Sequence, residues 1–220
     1  EQGRAAHWTL EDYLAAVLAV ESNARAESGA RQRIRYAGFP AVKTITDFDF
    51  TAQPAVDRAQ IARLEAGGWL SEARNIVLLG PPGTGKTHLA TGLGIAACRH
   101  GQRVLFATAT DWVTRLSDAH RAGKLAAELA KLRRYGLIII DEVGYLPFEQ
   151  DAANLFFQLI SQLYENPSVV ITSNKGFDGW ADLLGVPILA TALLDRLTHK
   201  CQVLSFSDNS YRLAHRKEIF

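Results

Sequence analysis

One stretch of the sequence has the residue types and spacing of a phosphate-binding loop. Gly80-Pro81-Pro82-Gly83-Thr84-Gly85-Lys86-Thr87 matches G-x-x-x-x-G-K-[ST] at every fixed position. Its glycines let backbone N–H groups approach phosphate oxygens, and a helix opening after it adds a favourable dipole. Lys86 would then contact the β- and γ-phosphates, and the Thr87 hydroxyl would ligate Mg²⁺. Because the motif lies between an apolar run and a helical stretch from His88, a turn that binds nothing is the weaker interpretation.

An acidic pair supplies the next candidate chemistry. Asp141 and Glu142 directly follow the apolar run Leu137–Ile140. An acid in this position lies at the carboxyl edge of a parallel sheet, beside the phosphate loop (Gly80–Thr87). Asp141 could hold Mg²⁺ there, and Glu142 could polarise an attacking water. The pair could instead be a solvated helix cap, but its position beside the phosphate loop favours the catalytic interpretation.

Asn174 is a third candidate at the end of an apolar run. It follows Val169–Ser173. In a sheet that places this strand between the first two motifs, Asn174 would face the γ-phosphate and orient the attacking water. Asn at a strand end is also a common turn former, so position alone leaves both interpretations open.

These candidates need a parallel sheet to bring them together, and the sequence predicts one. Short apolar runs alternate with helical stretches from residue 75 onward, as in an α/β three-layer fold with a five-stranded parallel sheet. The predicted strands are Asn75–Leu79, Arg103–Thr108, Leu137–Ile140, Ser168–Ser173 and Gln202–Phe206. The crossover from Ala109 to Gly136 is longer than one packed helix needs, so we expect two helices in it.

The first part of the chain is predicted to be a small helical domain, residues 1–43, before an ATPase-like core, residues 44–220. Thr9 and Asp12 have the spacing of a capping box, and an apolar stripe follows at helical intervals. We expect the helix to break at Ser28-Gly29. The segment Thr44–Phe50 is predicted to be an extended lead-in to the core.

Composition limits the remaining possibilities. Among 220 residues, 24 Lys and Arg balance 23 Asp and Glu, for a net charge of +1, so nucleic-acid binding would need local patches. The two cysteines are too few for a disulfide framework, which favours reduced thiols in a cytoplasmic protein. No apolar run approaches membrane-spanning length, and no signal peptide is visible, so we expect no membrane partner.

Taken together, the motifs resemble the AAA+ ATPases, specifically the branch with the helicase loader DnaC and the IstB-like transposition helper ATPases. The segments that carry the resemblance are Gly80–Ala90, Ile139–Pro147, Thr172-Ser173-Asn174, Ala190–Leu197 and Ser210-Tyr211-Arg212. The resemblance implies that Asn174 is a sensor residue and that Arg196 is an arginine finger for a neighbouring subunit's ATP. It also implies that Arg212 contacts nucleotide from a reduced C-terminal lid. The sequence alone leaves open that Arg196 pairs with Asp195 or a helix C-terminus.

Two basic segments are candidate DNA contacts. The window Arg115–Arg134 holds six basic and two acidic residues, and the N-terminal helix carries a second group. Charge runs on helices are usually solvated faces, but the resemblance favours sequence-independent contacts to the DNA backbone. The candidate residues are Arg31, Arg33, Arg35, Arg121, Lys124, Lys131, Arg133 and Arg134.

The leading functional expectation is an ATPase with ATP and Mg²⁺ as cofactors. It would assemble head to tail as a homo-oligomer, in a ring or a helix, on duplex DNA and assist a transposase. A loader of the replicative helicase is the main alternative. A small-molecule kinase and a nucleotide-binding scaffold without turnover are further alternatives, and phosphate release without an acceptor would distinguish the kinase.

Overall fold

A computed structural model describes residues 8–145, 147–206 and 211 of the chain. Its centre is a five-stranded sheet in the order β2-β3-β4-β1-β5, and every neighbouring pair is parallel. The strands are β1 (Asn75–Leu79), β2 (Val104–Thr108), β3 (Leu137–Val143), β4 (Ser168–Ser173) and β5 (Cys201–Ser205). This confirms the predicted α/β fold class. Strand β3 continues three residues beyond the predicted end, through the acidic pair.

Helices cover both faces of this sheet. Within the described residues they are α1 (Leu10–Tyr36), α2 (Arg58–Glu65), α3 (Gly68–Ser71), α4 (Lys86–Arg99), α5 (Ala109–Arg121), α6 (Leu125–Leu132), α7 (Gln150–Gln162), α8 (Trp180–Leu184) and α9 (Pro187–Thr198). The described residues also include two 3₁₀ turns, Ile45–Asp47 and Phe177–Gly179. The crossover after β2 holds two helices, α5 and α6, as predicted. None of the described helices combines the length and apolar character needed to cross a membrane.

The sheet divides the core into two apolar layers because side chains alternate along each strand. In β3, Ile138 and Ile140 belong to the layer formed with α5 to α9, whose largest buried side chains include Trp112 and Trp180. The intervening residue Ile139 belongs to the layer under α2, α3 and α4. Burial on both faces explains why β3 reads as an uninterrupted apolar run.

Helix α1 differs from its prediction. The Thr9–Asp12 capping box is present, but the helix continues through Ser28-Gly29 to Tyr36, so the predicted break is wrong. Its last turns pack on α4: Ala30 is buried, and Arg33 donates through Nε to the carbonyl oxygen of Cys98 at 2.8 Å. Tertiary packing therefore offsets the low helix propensity of glycine at this point.

The chain after α1 runs along the core to the phosphate loop. Phe106 at the β2 edge donates its backbone N–H to the Ala37 carbonyl at 2.8 Å. The segment Thr44–Phe50 was predicted to be extended, but part of it is not, because Ile45–Asp47 form a 3₁₀ turn. Asp47 accepts a hydrogen bond from the Thr44 backbone N–H at 2.8 Å, as in a capping box. The Thr44–Asp47 spacing, and not the pattern of apolar residues, is the feature that indicates this turn. The division of the chain at residue 43 stays a prediction.

Candidate nucleotide-binding site

The phosphate loop connects the end of β1 to the start of α4. Gly85 has φ +95°, and a Cβ there would lie 2.6 Å from Cε2 of Phe48, so this position requires glycine for two separate reasons. Lys86 is only 7% exposed, and its Nζ donates to the Pro81 carbonyl at 2.6 Å. Thr84 Oγ1 donates to the same carbonyl at 2.8 Å. The loop is thus folded around one backbone oxygen, with the lysine ammonium inside it.

Asp141 lies at the carboxyl end of β3 and reaches the phosphate loop. Thr87 Oγ1 is 3.0 Å from each of its carboxylate oxygens. Thr172 Oγ1 on β4 donates to Asp141 Oδ1 at 2.5 Å. The carboxylate is 3% exposed, yet the groups bonded to it are neutral hydroxyls.

Glu142 and Asn174 occupy the same edge of the sheet. Glu142 has φ +63° and is exposed at the cleft, where Asn174 also lies. The Asn174 Oδ1 atom is buried and makes no hydrogen bond within the described residues. Gly144 is packed so closely that a Cβ on it would lie 2.7 Å from this oxygen. Buried polar atoms are normally hydrogen-bonded, so an unsatisfied amide oxygen at a cleft suggests a site for a polar ligand.

These groups line a cleft of about 790 Å³. The phosphate loop and the ends of β3 and β4 form its floor, and one wall comes from a junction segment, residues 40–53, of which Pro40–Lys43 and Asp47–Asp49 line the cleft. His88 links the two because its Nε2 lies 2.8 Å from the Thr44 carbonyl oxygen and its ring packs edge-on against Phe48. The backbone N–H of Tyr211 donates to the Gly83 carbonyl at 3.1 Å, which brings Tyr211 to the same cleft.

The donor set at this site fits a hard divalent cation. Thr87 Oγ1 and the Asp141 carboxylate are oxygen ligands of the kind that Mg²⁺ prefers, and few protein ligands suffice because this ion keeps waters and phosphate oxygens in its shell. A cluster of three or more His, Cys, Asp or Glu that could hold a metal without a ligand does not occur in the described part of the chain. The residues present therefore suit a metal that arrives with phosphate.

Comparison with known proteins agrees with this geometry. The model of the family described as IstB-like ATP binding protein matches residues 1–219. The chain belongs to the IstB-like ATP binding protein family. It is 39% identical, over 99% of its own length and 82% of the relative's, to a protein of Pseudomonas aeruginosa described as an ATP-binding protein of insertion sequence IS21. It is also 38% identical, over 94% of this chain and 82% of the relative, to a Geobacillus stearothermophilus protein described as an ATP-binding protein of insertion sequence IS5376.

Solved structures support the same fold at lower sequence similarity. The DnaC helicase loader superposes with a TM-score of 0.59 and 22% identity, covering 68% of this chain and 87% of that one. AMPPCP-bound DnaA from Aquifex aeolicus gives a TM-score of 0.61 at 21% identity, over 77% of this chain and 51% of DnaA. The core of this IstB-like chain is therefore an AAA+ fold.

Of the two arginines predicted for the nucleotide site, the structure describes Arg196 and places it outside the cleft. Arg196 on α9 is not among the described residues that line it. Its Nη1 donates to the Ala192 carbonyl at 2.8 Å, and its guanidinium carbon lies 5.1 Å from the centre of the Phe157 ring. The Ala192 carbonyl lies one turn earlier within α9, so the observed partner is neither Asp195 nor a helix C-terminus. Arg212 lies outside the described residues.

The predicted DNA-contacting residues are on surfaces away from the cleft and differ in availability. Arg33 is held by the Cys98 carbonyl, whereas Arg31 and Arg35 are exposed. Within α5, Arg121 pairs with Asp118 at 2.8 Å. Within α6, Lys131 pairs with Glu128 at 3.0 Å. Lys124, Arg133 and Arg134 are exposed and have no ion pair within the described residues.

Sequence reasoning missed two sets of site residues. The segment Thr44–Phe50 is predicted only as an extended lead-in to the core, although the junction segment forms a wall of the cleft. No local sequence signal indicates this, because the contact between Phe48 and Gly85 joins distant parts of the chain. The sequence indicates Thr172 only as part of a family segment, although its hydroxyl bonds to Asp141. A polar residue after Val169–Ile171, two positions before Asn174, was a signal that could have identified it.

Proposed function

We propose that this IstB-like protein is an ATPase that assembles on duplex DNA with ATP bound and assists a transposase in DNA transposition. The observation that carries the proposal is the convergence of Lys86, Thr87, Asp141, Glu142 and Asn174 on one cleft at the carboxyl edge of a parallel sheet. Open parallel sheets bind ligands at that edge, and these are the side chains that triphosphate hydrolysis uses.

Nucleotide binding rests on the phosphate loop. Lys86 is buried, and its ammonium donates to a carbonyl inside the loop, where a phosphate oxygen would be a stronger, charge-assisted acceptor. Thr87 and Asp141 would hold Mg²⁺, which would supply positive charge to the phosphate oxygens when bound. The junction segment and Tyr211 form the rest of the cleft wall, and a cleft of about 790 Å³ is of the size that holds a small-molecule ligand.

Hydrolysis rests on Glu142 and Asn174. The Glu142 carboxylate would accept a proton from an attacking water, and the Asn174 amide would orient that water. The unsatisfied Asn174 Oδ1 supports this role because a water or phosphate-bound group in the cleft would provide its missing donor. A carboxylate that activates water favours hydrolysis over transfer to an acceptor, as in a kinase.

Assembly rests on Arg196. This guanidinium is outside its own cleft and packs on Phe157, so acting on ATP requires the cleft of a second copy. Contacts in which one face of a subunit meets a different face of the next produce rings or open helices. An arginine that reaches developing γ-phosphate charge in this way accelerates hydrolysis by about 10³–10⁵.

The DNA and transposase parts rest on surface charge and on the relatives. Lys124, Arg133 and Arg134 are exposed basic groups beyond the neutralising pairs of α5 and α6, which suits contacts to the DNA backbone. The two relatives described above are insertion-sequence proteins, and such elements move through a transposase. A repeated subunit of near-zero net charge could line up these patches without strong self-repulsion.

The test separates ATP binding from hydrolysis on DNA. Glu142→Gln should bind ATP normally and hydrolyse it about 100-fold or more slowly, so that ATP-stabilised DNA complexes persist. Glu165→Gln, at an exposed loop position outside the cleft, is the matched control and should behave as the parent. Hydrolysis and DNA retention are measured together, across protein concentrations.

Two results would count against the proposal. Equal DNA binding by Glu142→Gln with and without ATP would remove the ATP-dependent assembly. Association with a hexameric helicase, and not with a transposase, would favour a helicase loader instead.

A further inference from the structure

The ladder between β3 and β4 is irregular at the acidic pair. Ile140 pairs with Ile171, and the next pair is Val143 with Ser173. Two residues of β3, Asp141 and Glu142, therefore stand opposite the single residue Thr172 of β4. This is a β-bulge, a device that bends a strand and redirects side chains and that is frequent beside active sites.

Thr172 supplies the hydrogen bonds that the bulge removes from the ladder. Its Oγ1 accepts from the Glu142 backbone N–H at 2.9 Å and donates to Asp141 Oδ1 at 2.5 Å. The side chain is 1% exposed, so water is a poor substitute for either bond. One hydroxyl thus binds the backbone of one acidic residue and the carboxylate of the other.

The backbone at Glu142 gives this contact its importance. A φ of +63° is unfavourable for a residue with a side chain and persists only where surrounding contacts enforce it. The bond to Thr172 is the contact made by the Glu142 N–H, so it fixes the peptide plane that leads into the strained residue. That conformation presents Glu142 at the cleft next to Asn174.

We propose that Thr172 is a positioning residue that holds the bulge, and with it both acidic side chains, in the arrangement needed for hydrolysis. The inference rests on the proposed ATPase function and adds a residue to it. Thr172 acts through Glu142 and Asp141, to which its hydroxyl is bonded. The hydroxyl is the required group, since it is both acceptor and donor.

Two substitutions isolate the hydroxyl. Thr172→Val keeps the β-branched shape but removes both hydrogen bonds, and Thr172→Ser keeps the hydroxyl. Ser168→Ala is a matched control, because Ser168 is buried in the same strand and its Oγ has no hydrogen-bond partner within the described residues. Thermal unfolding of each variant shows whether it is folded at the assay temperature.

Two measurements test the inference. In Thr172→Val, we expect amide hydrogen exchange at Glu142 to accelerate about tenfold or more, because the N–H loses its acceptor. We expect kcat for ATP to fall about 10- to 100-fold while ATP affinity changes less than about threefold, since misplaced groups lower turnover more than binding. Thr172→Ser should restore both quantities, and Ser168→Ala should change neither.

The outcomes separate this inference from the proposed function. Unchanged exchange at Glu142 in Thr172→Val would overturn the bulge contact, and altered exchange with parental kcat would overturn the positioning role. Both results leave the ATPase proposal standing. A parent protein that binds ATP but never hydrolyses it, even concentrated on DNA, would overturn the ATPase proposal and the positioning role together.

Discussion

The nucleotide cleft and the surface formed by α5 and α6 both gather charged side chains, but they bond them to different partners. In the cleft, the Asp141 carboxylate is bonded to the hydroxyls of Thr87 and Thr172. On the α5–α6 surface, Glu128 is bonded to Arg115 and to Lys131. Asp141 is 3% exposed and the Glu128 side chain 15%, so both carboxylates are partly or fully shielded from solvent.

The difference shows what each region is able to bind. A carboxylate satisfied by neutral hydroxyls retains its charge for an incoming cation, whereas one satisfied by arginine and lysine is already neutralised. Sequence counts of charge miss this distinction, because it depends on partners distant along the chain.

The largest expected effect is at the buried lysine. Lys86→Ala should weaken ATP binding about 100-fold or more, because a buried charge-assisted contact to phosphate is lost. Lys43→Ala, at an exposed position on the junction wall of the same cleft, should have a much smaller effect. Titration calorimetry with an ATP analogue that is not hydrolysed measures both, and equal losses would remove the contrast between a buried and an exposed cleft lysine.

The next effect concerns Arg196. Arg196→Ala should leave ATP affinity of the dilute protein unchanged but lower hydrolysis by the assembled protein about 10³-fold. A mixture of Arg196→Ala and Glu142→Gln subunits should recover part of the activity, since the first has an intact cleft and the second an intact arginine. Arg63→Ala on α2 is a control outside the cleft. Two inactive variants that stay inactive when mixed would argue against action in a neighbouring cleft.

A smaller effect is expected from the basic surface itself. The double variant Arg133→Ala, Arg134→Ala should lower the slope of log DNA affinity against log salt by about 1.8, or about 0.9 per lost phosphate contact. The double variant Arg121→Ala, Lys131→Ala should lower it less, because those groups are already paired. Fluorescence anisotropy over a salt series measures the slopes. If both double variants lowered the slope equally, pairing within the protein would not limit the contacts of these residues with DNA phosphates.

The smallest effect is on stability. The Arg115 guanidinium, through its hydrogen bonds, holds the pKa of Glu128 below its ordinary value, and Lys131 adds to this. The stabilisation is therefore complete above the unfolded pKa of about 4.3 and is lost as pH falls through the lower folded value. Glu128→Gln should reduce the free energy of unfolding by about 1 kcal/mol or less at pH 7.

Urea unfolding at several pH values checks this last prediction. The difference between the parent and Glu128→Gln should shrink from pH 7 towards pH 3. A difference that grew on acidification would mean that Glu128 is destabilised in the folded state, contrary to its two cationic partners.

Much of the fold was predictable because its signals are local. Each strand is a short apolar run bounded by turn residues, and the phosphate loop marks the connection from β1 to α4. Once the sheet is parallel, the ends of β3 and β4 must lie at the edge where that loop lies. The convergence of Asp141, Asn174 and the phosphate loop follows from these local signals.

The remainder depends on contacts between distant parts of the chain. Ser28-Gly29 has the composition of a helix end, but packing of Ala30 and Arg33 on α4 keeps α1 continuous. Phe48 belongs to the cleft wall because Gly85 leaves room for it, and neither residue indicates the other in sequence. The bulge at Glu142 could not be predicted either, because the sequence of the strand does not show where its pairing with β4 shifts.

Helix α1 has a mechanical consequence. Only its last turns are packed on the core, and the side chain of Leu10 at its start is 85% exposed. At 1.5 Å per residue, the 19 residues from Leu10 to Ser28 form an arm of about 28 Å. A tilt of about 10° where the helix meets α4 would move the tip by roughly 5 Å, from the same helix geometry. Helix α4 begins at the phosphate-loop lysine, so a small adjustment around bound phosphate would be magnified into a displacement large enough to change what the far end touches.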